Sequence, residues 1–260
     1  MRTRMFSGLL AVIAVCAGAQ AADLGPRPGY TKAQEMLVAA PYNWTFLFFG
    51  GQLGGSFAAQ PLSTSATGFL ADIGNPGSIG PNAVGIDGGG HIGFNYQMGG
   101  TNIVVGAEFD AELSSLSSNN QLTFTTNRGA FPVGTSVISK PWDLYAIGKA
   151  GFTFGPRREV MLYGFGGGAL AELRNETSAD PNVGGLFTNS NLSSTNVHGG
   201  WTAGGGVDWR VVDNFLLGFR YRYEKLGNNG VIFDAGTNGT FRADQNAASN
   251  QFTVRGSFLF

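Results

Sequence analysis

Two histidines, a triplet of carboxylates and a pair of arginines are the residues of this chain with the most chemistry to offer. His91 and His198 are its only histidines. A nucleophile needs its base within hydrogen-bond reach, and the serines near either histidine stand at no spacing that singles one out. No catalytic residue is expected. Glu108, Asp110 and Glu112 recur every second residue, as do Arg220, Arg222 and Glu224. Two-residue spacing places each set on one face of a strand. With Lys149, Asp208 and Arg255 they form a set rich in both signs, which suits ion pairing and names no metal site. Gly164-Phe165-Gly166-Gly167-Gly168-Ala169 has the G-x-G-x-x-A form. It lies inside a strand pattern and opens no helix, so it lacks the context of a dinucleotide loop. Asn175-Glu176-Thr177 and Asn238-Gly239-Thr240 are formal glycosylation acceptors read as ordinary loop residues.

The elements that must carry these residues show in the alternation of apolar and polar positions. Strands are expected at about 44–58, 84–98, 102–113, 141–154, 159–174, 198–210, 214–225 and 250–260. Each is about as long as the ~9–11 residues a tilted strand needs to cross hydrocarbon, or somewhat longer. Their connections alternate. MGGTN (98–102), GPRR (155–158) and VVDN (211–214) are tight turns, whereas 59–83, 114–140, 175–197 and 226–249 are long and rich in Ser, Thr, Asn and Gly. Long loops on one end and short turns on the other are the pattern of an outer-membrane barrel, and a soluble sandwich has no reason for it. The fold expected is all-β, an eight-stranded antiparallel transmembrane β-barrel.

Composition agrees. Charged residues make up 13% of the 260 positions, about half the usual soluble share. Gly reaches 42 and Phe 21. Beyond the N-terminus no stretch approaches the roughly 18 apolar residues of a membrane helix. MRTRMFSGLLAVIAVCAGAQA has a basic start, an apolar core and an Ala19-Gln20-Ala21 exit, the three parts of a secretory signal, so 1–21 is expected to be cleaved. Cleavage takes Arg2, Arg4 and the single Cys16, leaving 14 basic residues against 17 acidic ones and no disulfide. That balance offers nucleic acid no basic footprint. Residues 22–43 carry three prolines and read as a linker, with one helical turn expected over 32–38; the barrel is expected over 44–260.

Parity assigns faces, because Arg or Lys facing lipid at mid-bilayer costs ~2–4 kcal/mol. Arg220, Arg222 and Glu224 must face inward, with Phe215, Leu217, Phe219, Tyr221 and Tyr223 outward. The same rule turns Asp87, His91, Asn95, Glu108, Asp110, Glu112, Asp143, Lys149, Asp208 and Arg255 inward. For 159–174 it expects Met161, Tyr163, Phe165, Ala169 and Ala171 outward and Glu172 and Arg174 inward. WTFLFFGGQLGGSF is apolar on both faces and leaves its parity open. Outward aromatics gather at two depths, Trp142, Trp201 and Tyr223 at one and Phe154, Trp209, Phe215 and Phe258 at the other, as girdles at two interfaces require.

The end QFTVRGSFLF alternates aromatic and polar residues and finishes on Phe260. It resembles the recognition signal of outer-membrane barrels, which marks Phe258 and Phe260 as an assembly signal. PYNWTFLFFGGQLGG, GWTAGGGVDW and FRYRYEKLG resemble the small outer-membrane immunogenic proteins of Gram-negative bacteria, which are porin-like eight-stranded barrels. The resemblance covers 44–260 and departs at FLFF, where that family usually has Gly after the Trp-Thr pair. It implies outer-membrane localisation with both termini periplasmic, contact with outer-membrane lipid and lipopolysaccharide and with the assembly machinery, and no cofactor. The family is associated with envelope integrity and surface antigenicity, some members with adhesion or hemin binding; His198 is the hemin-ligand candidate. Three functions remain in play: a structural and surface-interaction barrel with no enzymatic activity, a small porin-like channel, and a lipid-modifying enzyme. Eight strands leave a lumen that side chains can fill, which favours the first. Inward Gly106, Gly151, Gly204, Gly206 and Gly218 argue for some open space.

Overall fold

In the computed structural model, strands among the described residues carry the alternation through to three dimensions: β1 (Phe46–Ala58), β2 (Leu62–Ala66), β3 (Asn75–Ile79), β4 (Ala83–Gln97), β5 (Ile103–Thr126), β6 (Gly129–Phe154), β7 (Val160–Ala179), β8 (Asn191–Val212), β9 (Phe215–Leu226), β10 (Asn229–Asp234), β11 (Thr240–Gln245) and β12 (Ala248–Leu259). The structure describes residues 40–58, 62–68, 75–79, 83–126, 129–179, 191–227, 229–234, 240–245 and 247–260. The expected signal segment 1–21, the helical turn at 32–38 and most of the linker lie outside the described residues.

Eight strands form a closed antiparallel ring in the order β5-β4-β1-β12-β9-β8-β7-β6, with β6 pairing back to β5. β1 and β12 make the seam, where Leu47 and Phe260 exchange backbone hydrogen bonds of 2.9 and 3.2 Å. Closure matters because lipid offers no partner to an open edge. The three tight turns stand at one end; Gly100 and Gly155 take the positive φ values, 72° and 98°, that reverse the chain there. The seam places residue 47 and the final Phe260 at that same end.

The other end corrects the sequence reading. Residues 114–126 and 129–140 are not loop but the continuation of β5 and β6, and 175–179 and 191–197 continue β7 and β8. β5 to β8 run 20 to 26 residues, about twice what a membrane crossing requires. Outside lipid neither face has to be apolar, so the hydrophobic alternation fades while the ladder persists. β2, β10 and β11 pair as a small separate sheet within the expected loops 59–83 and 226–249, and β3 adds to the outer part of β5.

Face assignments hold on six of the seven strands that received one, and β1, left open, is now settled: Phe48, Gln52 and Ser56 turn inward, and Leu47, Phe49, Leu53 and Phe57 outward. β7 is the exception. Met161, Tyr163, Phe165, Ala169 and Ala171 are buried in the lumen, while Leu162, Gly164, Gly166 and Leu170 face out. Glu172 and Arg174 therefore also face out, Glu172 level with the girdle residue Trp142. There the Trp142 indole N–H donates to Glu172 at 2.8 Å. Hydrogen bonds from Arg174, and then from Trp142, hold the Glu172 carboxyl below the usual carboxylate range. Set above the hydrocarbon, this pair never meets the cost that the parity rule assumed.

The outward aromatics do gather at two levels. Trp201 packs on Tyr223 (5.4 Å between centroids) toward the loop end, and Phe215 on Phe258 (5.2 Å) toward the turn end.

Candidate functional site

The inside of the ring is the candidate site. Glu108, Asp110, Glu112, Lys149, Asp208, Arg220, Arg222, Glu224 and Arg255 all point into it and all are buried. β9 and β5 face each other across the lumen, so two-residue spacing on one strand meets two-residue spacing on the other. Arg220 donates to Glu108 at 2.7 Å and to Asp110 at 2.9 Å. Arg222, one step along, pairs with Asp110 and Glu112. Arg255 adds a second arginine to Glu108. Lys149 reaches Glu108 at 3.2 Å and Asp208 at 4.0 Å. Of the three β5 carboxylates Lys149 meets only Glu108, because the arginines take the other two. Nearer the loop end, Lys140 lies 3.0 Å from both Asp143 and Glu224, and the Tyr145 hydroxyl donates to Glu224 at 2.6 Å.

Several members of this network escaped the sequence. Lys140 sat in a presumed loop, Tyr163 on the wrong face, and Gln52 on a strand without assigned parity. Tyr163 is a hub: its hydroxyl accepts from Arg220 at 3.2 Å and from Arg255 at 3.3 Å. Gln52 and Gln251 donate to Glu112. Aromatic faces complete the cradle, with Arg222 3.7 Å above Tyr145 and Arg220 4.8 Å above Phe165, contacts that favour a desolvated cation. Only the register of the strands, not the order of the residues, brings these rings beneath the guanidinium groups.

The inward glycines leave little room. A Cβ at Gly204 would lie 2.6 Å from the Phe165 ring, one at Gly206 2.6 Å from the Tyr163 hydroxyl, and one at Gly218 2.4 Å from the Asp208 carboxylate. The space they vacate is filled by their neighbours' side chains, so they serve the packing instead of opening a path.

Both ends of the network are closed by apolar residues. At the turn end Trp44 is fully buried, with its indole N–H donating to the Arg158 carbonyl at 2.7 Å. Phe46 follows it tilted and Phe48 edge-on, with successive ring centroids 5.9 and 6.2 Å apart. Tyr42 is held between Arg157 and Arg210, 4.3 and 4.4 Å from its ring. At the loop end Leu116, Ile138, Leu173, Leu226 and Ala247 form a buried collar. Between this collar and the Lys140–Glu224 pair lies a cavity of about 10 Å³, the space of a single water.

The enzyme reading finds one suggestive contact, His91 Nε2 to Ser257 Oγ at 2.7 Å. Both residues are buried within the lumen, and His91 Nδ1 has no partner to orient the ring. His198, the hemin-ligand candidate, is half-buried on the inner face at the loop end, and its Nε2 is also unpartnered. Among the described residues, no three His, Cys, Asp or Glu side chains converge as a metal-binding group. Phe258 and Phe260 lie on the outer face of the seam, Phe260 stacked on Phe49 at 5.2 Å.

No protein-family model matches the chain. Two curated relatives do: the 31 kDa outer-membrane immunogenic proteins of Brucella melitensis biotype 1 and Brucella suis biovar 1. Each is 28% identical over 202 residues, which cover 75% of this chain and 78% of the relative. Among solved structures, the outer membrane protein OprG from Pseudomonas aeruginosa aligns with a TM-score of 0.53 at 11% identity, over 85% of this chain and 98% of its own. The resemblance to outer-membrane immunogenic proteins is thereby shown, and with it the porin-like transmembrane barrel fold.

Proposed function

We propose that this outer-membrane barrel, akin to the immunogenic proteins of Brucella, is a closed structural anchor with no enzymatic activity that carries an interaction surface outside the membrane. The observation behind this reading is the lumen: a cross-barrel ion-pair network between an aromatic floor and an aliphatic collar. Buried charges are tolerated when paired and hydrogen-bonded, and here that pairing occupies the axis a solute would use. The extended β5–β8 sheet and the β2-β10-β11 sheet then supply the surface that partners or antibodies would meet. The purified, refolded protein in planar bilayers is expected to show no stable open level. A steady large conductance from the unmutated protein would establish the channel instead.

The turn end and both chain ends face the periplasm in this reading, because the short turns of outer-membrane barrels lie there. An epitope tag inserted at Asn189 should then be detected on intact cells; detection only after permeabilisation reverses the orientation. Phe258 and Phe260 would serve the assembly machinery as a terminal signal. Deleting Phe260 should lower the amount of heat-modifiable protein in the outer membrane, and unchanged levels would remove that role.

A further inference from the structure

From the girdle toward the loop end, β8 has a ladder partner on one side only. Its outer stretch pairs with β7 down to Asn191 without a register shift. On the other side the ladder with β9 begins at Gly200 and Leu226. One further bond, from the Gly227 N–H to the Gly199 carbonyl at 3.1 Å, completes it. The chain then departs, and β10 pairs with β11 instead. In an antiparallel ladder the N–H and C=O of one residue point to the same neighbour, and every second residue repeats that direction. Gly199 turns toward β9, so Val197, Thr195, Ser193 and Asn191 present their backbone groups on the same, open side. Among the described residues no strand pairs with them there. All four are exposed, Val197 by 57%.

Proteins ordinarily blunt such an edge with lysine, proline or a bulge. Asn191-Leu192-Ser193-Ser194-Thr195-Asn196-Val197 carries none of these. Beside the edge, on the outer face, lies a cleft of about 370 Å³ lined by Thr135, Val137, Glu176, Ser178, Asn191 and Ser193. Glu176 is exposed and stands opposite Ser193. A strand added to β8 would therefore look across a small side chain at a carboxylate. Two strand spacings amount to roughly 10 Å, a gap that a glutamate and a lysine or arginine span together.

We propose that the open edge of β8 takes an extended peptide segment of an extracellular partner as an added strand, with a basic side chain of that segment in the cleft against Glu176. Backbone pairing supplies the affinity and alternate side chains the specificity, as in other strand-addition complexes. A second copy in the same membrane is a poor occupant. Its β8 descends toward the bilayer in the same sense and cannot lie antiparallel to this one. The inference rests on the reading of the loop end as the interaction surface, and names what that surface would hold.

The test uses the full barrel refolded in detergent and a fluorescent peptide, Thr-Val-Thr-Lys-Thr-Val-Thr, capped at both ends. Binding is followed by anisotropy. The lysine peptide is expected to bind saturably and at least tenfold more tightly than the same peptide with glutamate in place of lysine. Glu176→Gln should remove most of that preference. Thr195→Pro deletes an N–H on the open side and leaves the β7 ladder alone, as proline on an edge can; it should weaken binding at least tenfold. Glu176→Gln alters only an exposed side chain, so it serves if Thr195→Pro does not refold. No binding of the lysine peptide, equal binding of the two peptides, or binding unchanged by Thr195→Pro would overturn the site. So would a barrel that sediments as a dimer and that Thr195→Pro makes monomeric, since the edge would then hold a second copy. A conducting lumen or a reversed orientation would defeat the surface reading but leave this binding result standing.

Discussion

β9 and β7 flank β8 and sort large and small residues in opposite ways. β9 sends Arg220, Arg222 and Glu224 inward and leaves Phe219 and Tyr221 to lipid; β7 sends Met161, Tyr163 and Phe165 inward and leaves Leu162, Gly164, Gly166 and Leu170 outside. The two choices depend on each other. Guanidinium groups leaving water need acceptors and flat apolar bodies to stand against, and β7 provides them through the Tyr163 hydroxyl and the Phe165 ring. Glycines on β8, at 204 and 206, make way for those two rings. Which face of a strand enters the lumen is therefore decided by what the neighbouring strands' inward side chains require, not by the hydrophobicity of the strand itself.

The comparison breaks hardest at Arg220. Arg220→Ala strips Glu108 and Asp110 of a shared partner and leaves Tyr163 without one of its donors. Removing one member of a buried pair typically costs about 3–5 kcal/mol. A large drop in the urea midpoint of the detergent-folded barrel is expected, and a midpoint within error of wild type would mean that the charges are hydrated and the network dispensable.

Next comes the disputed face. Gly166 lies near the middle of the membrane-spanning part of β7 and points to lipid. Gly166→Arg should cost roughly 2–4 kcal/mol when folding into bilayers, the penalty for a cation at mid-bilayer. The same change in position on the opposite parity would meet the lumen instead. Equal stability of wild type and variant in thick bilayers would return the β7 face assignment to the one read from sequence.

The smallest effect belongs to Arg174. Were it inside the ring, as its sequence suggests, its loss would resemble that of Arg220. Outside, beside Glu172 at the girdle, it is half exposed, and exposed ion pairs contribute little. Arg174→Ala should leave the melting temperature unchanged within a degree or so; a shift of the size seen for Arg220→Ala would place it in the lumen.

The contrast also explains what could be read in advance. On β9 and β5 the charges themselves lie at two-residue spacing, and lipid excludes them, so Glu108, Asp110, Glu112, Arg220 and Arg222 were legible. β7 has no charge within the bilayer to anchor the rule. Its only charged pair, Glu172 and Arg174, lies beyond the hydrocarbon, where the rule has no force. The extensions of β5 to β8 were hidden for a related reason. Ser118, Asn120, Ser136 and Asn175 are buried inside the extension, but small polar residues on a strand outside lipid look like loop.

Amino-acid order alone dictates the number of spanning strands, their antiparallel course and the alternation of turns and loops, because hydrocarbon enforces a two-residue period and a minimum length on each. It also dictates which carboxylates and arginines must share the interior. Only the closed ring decides who pairs with whom, since partners such as Arg220 and Glu108 stand 112 residues apart and meet through barrel diameter and register. The ring likewise decides that Tyr163 and Phe165 turn inward, that glycines are filled and not open, and that Asp87 has no base beside it among the described residues. Those outcomes depend on the volume and charge of a shared lumen, which no single strand contains.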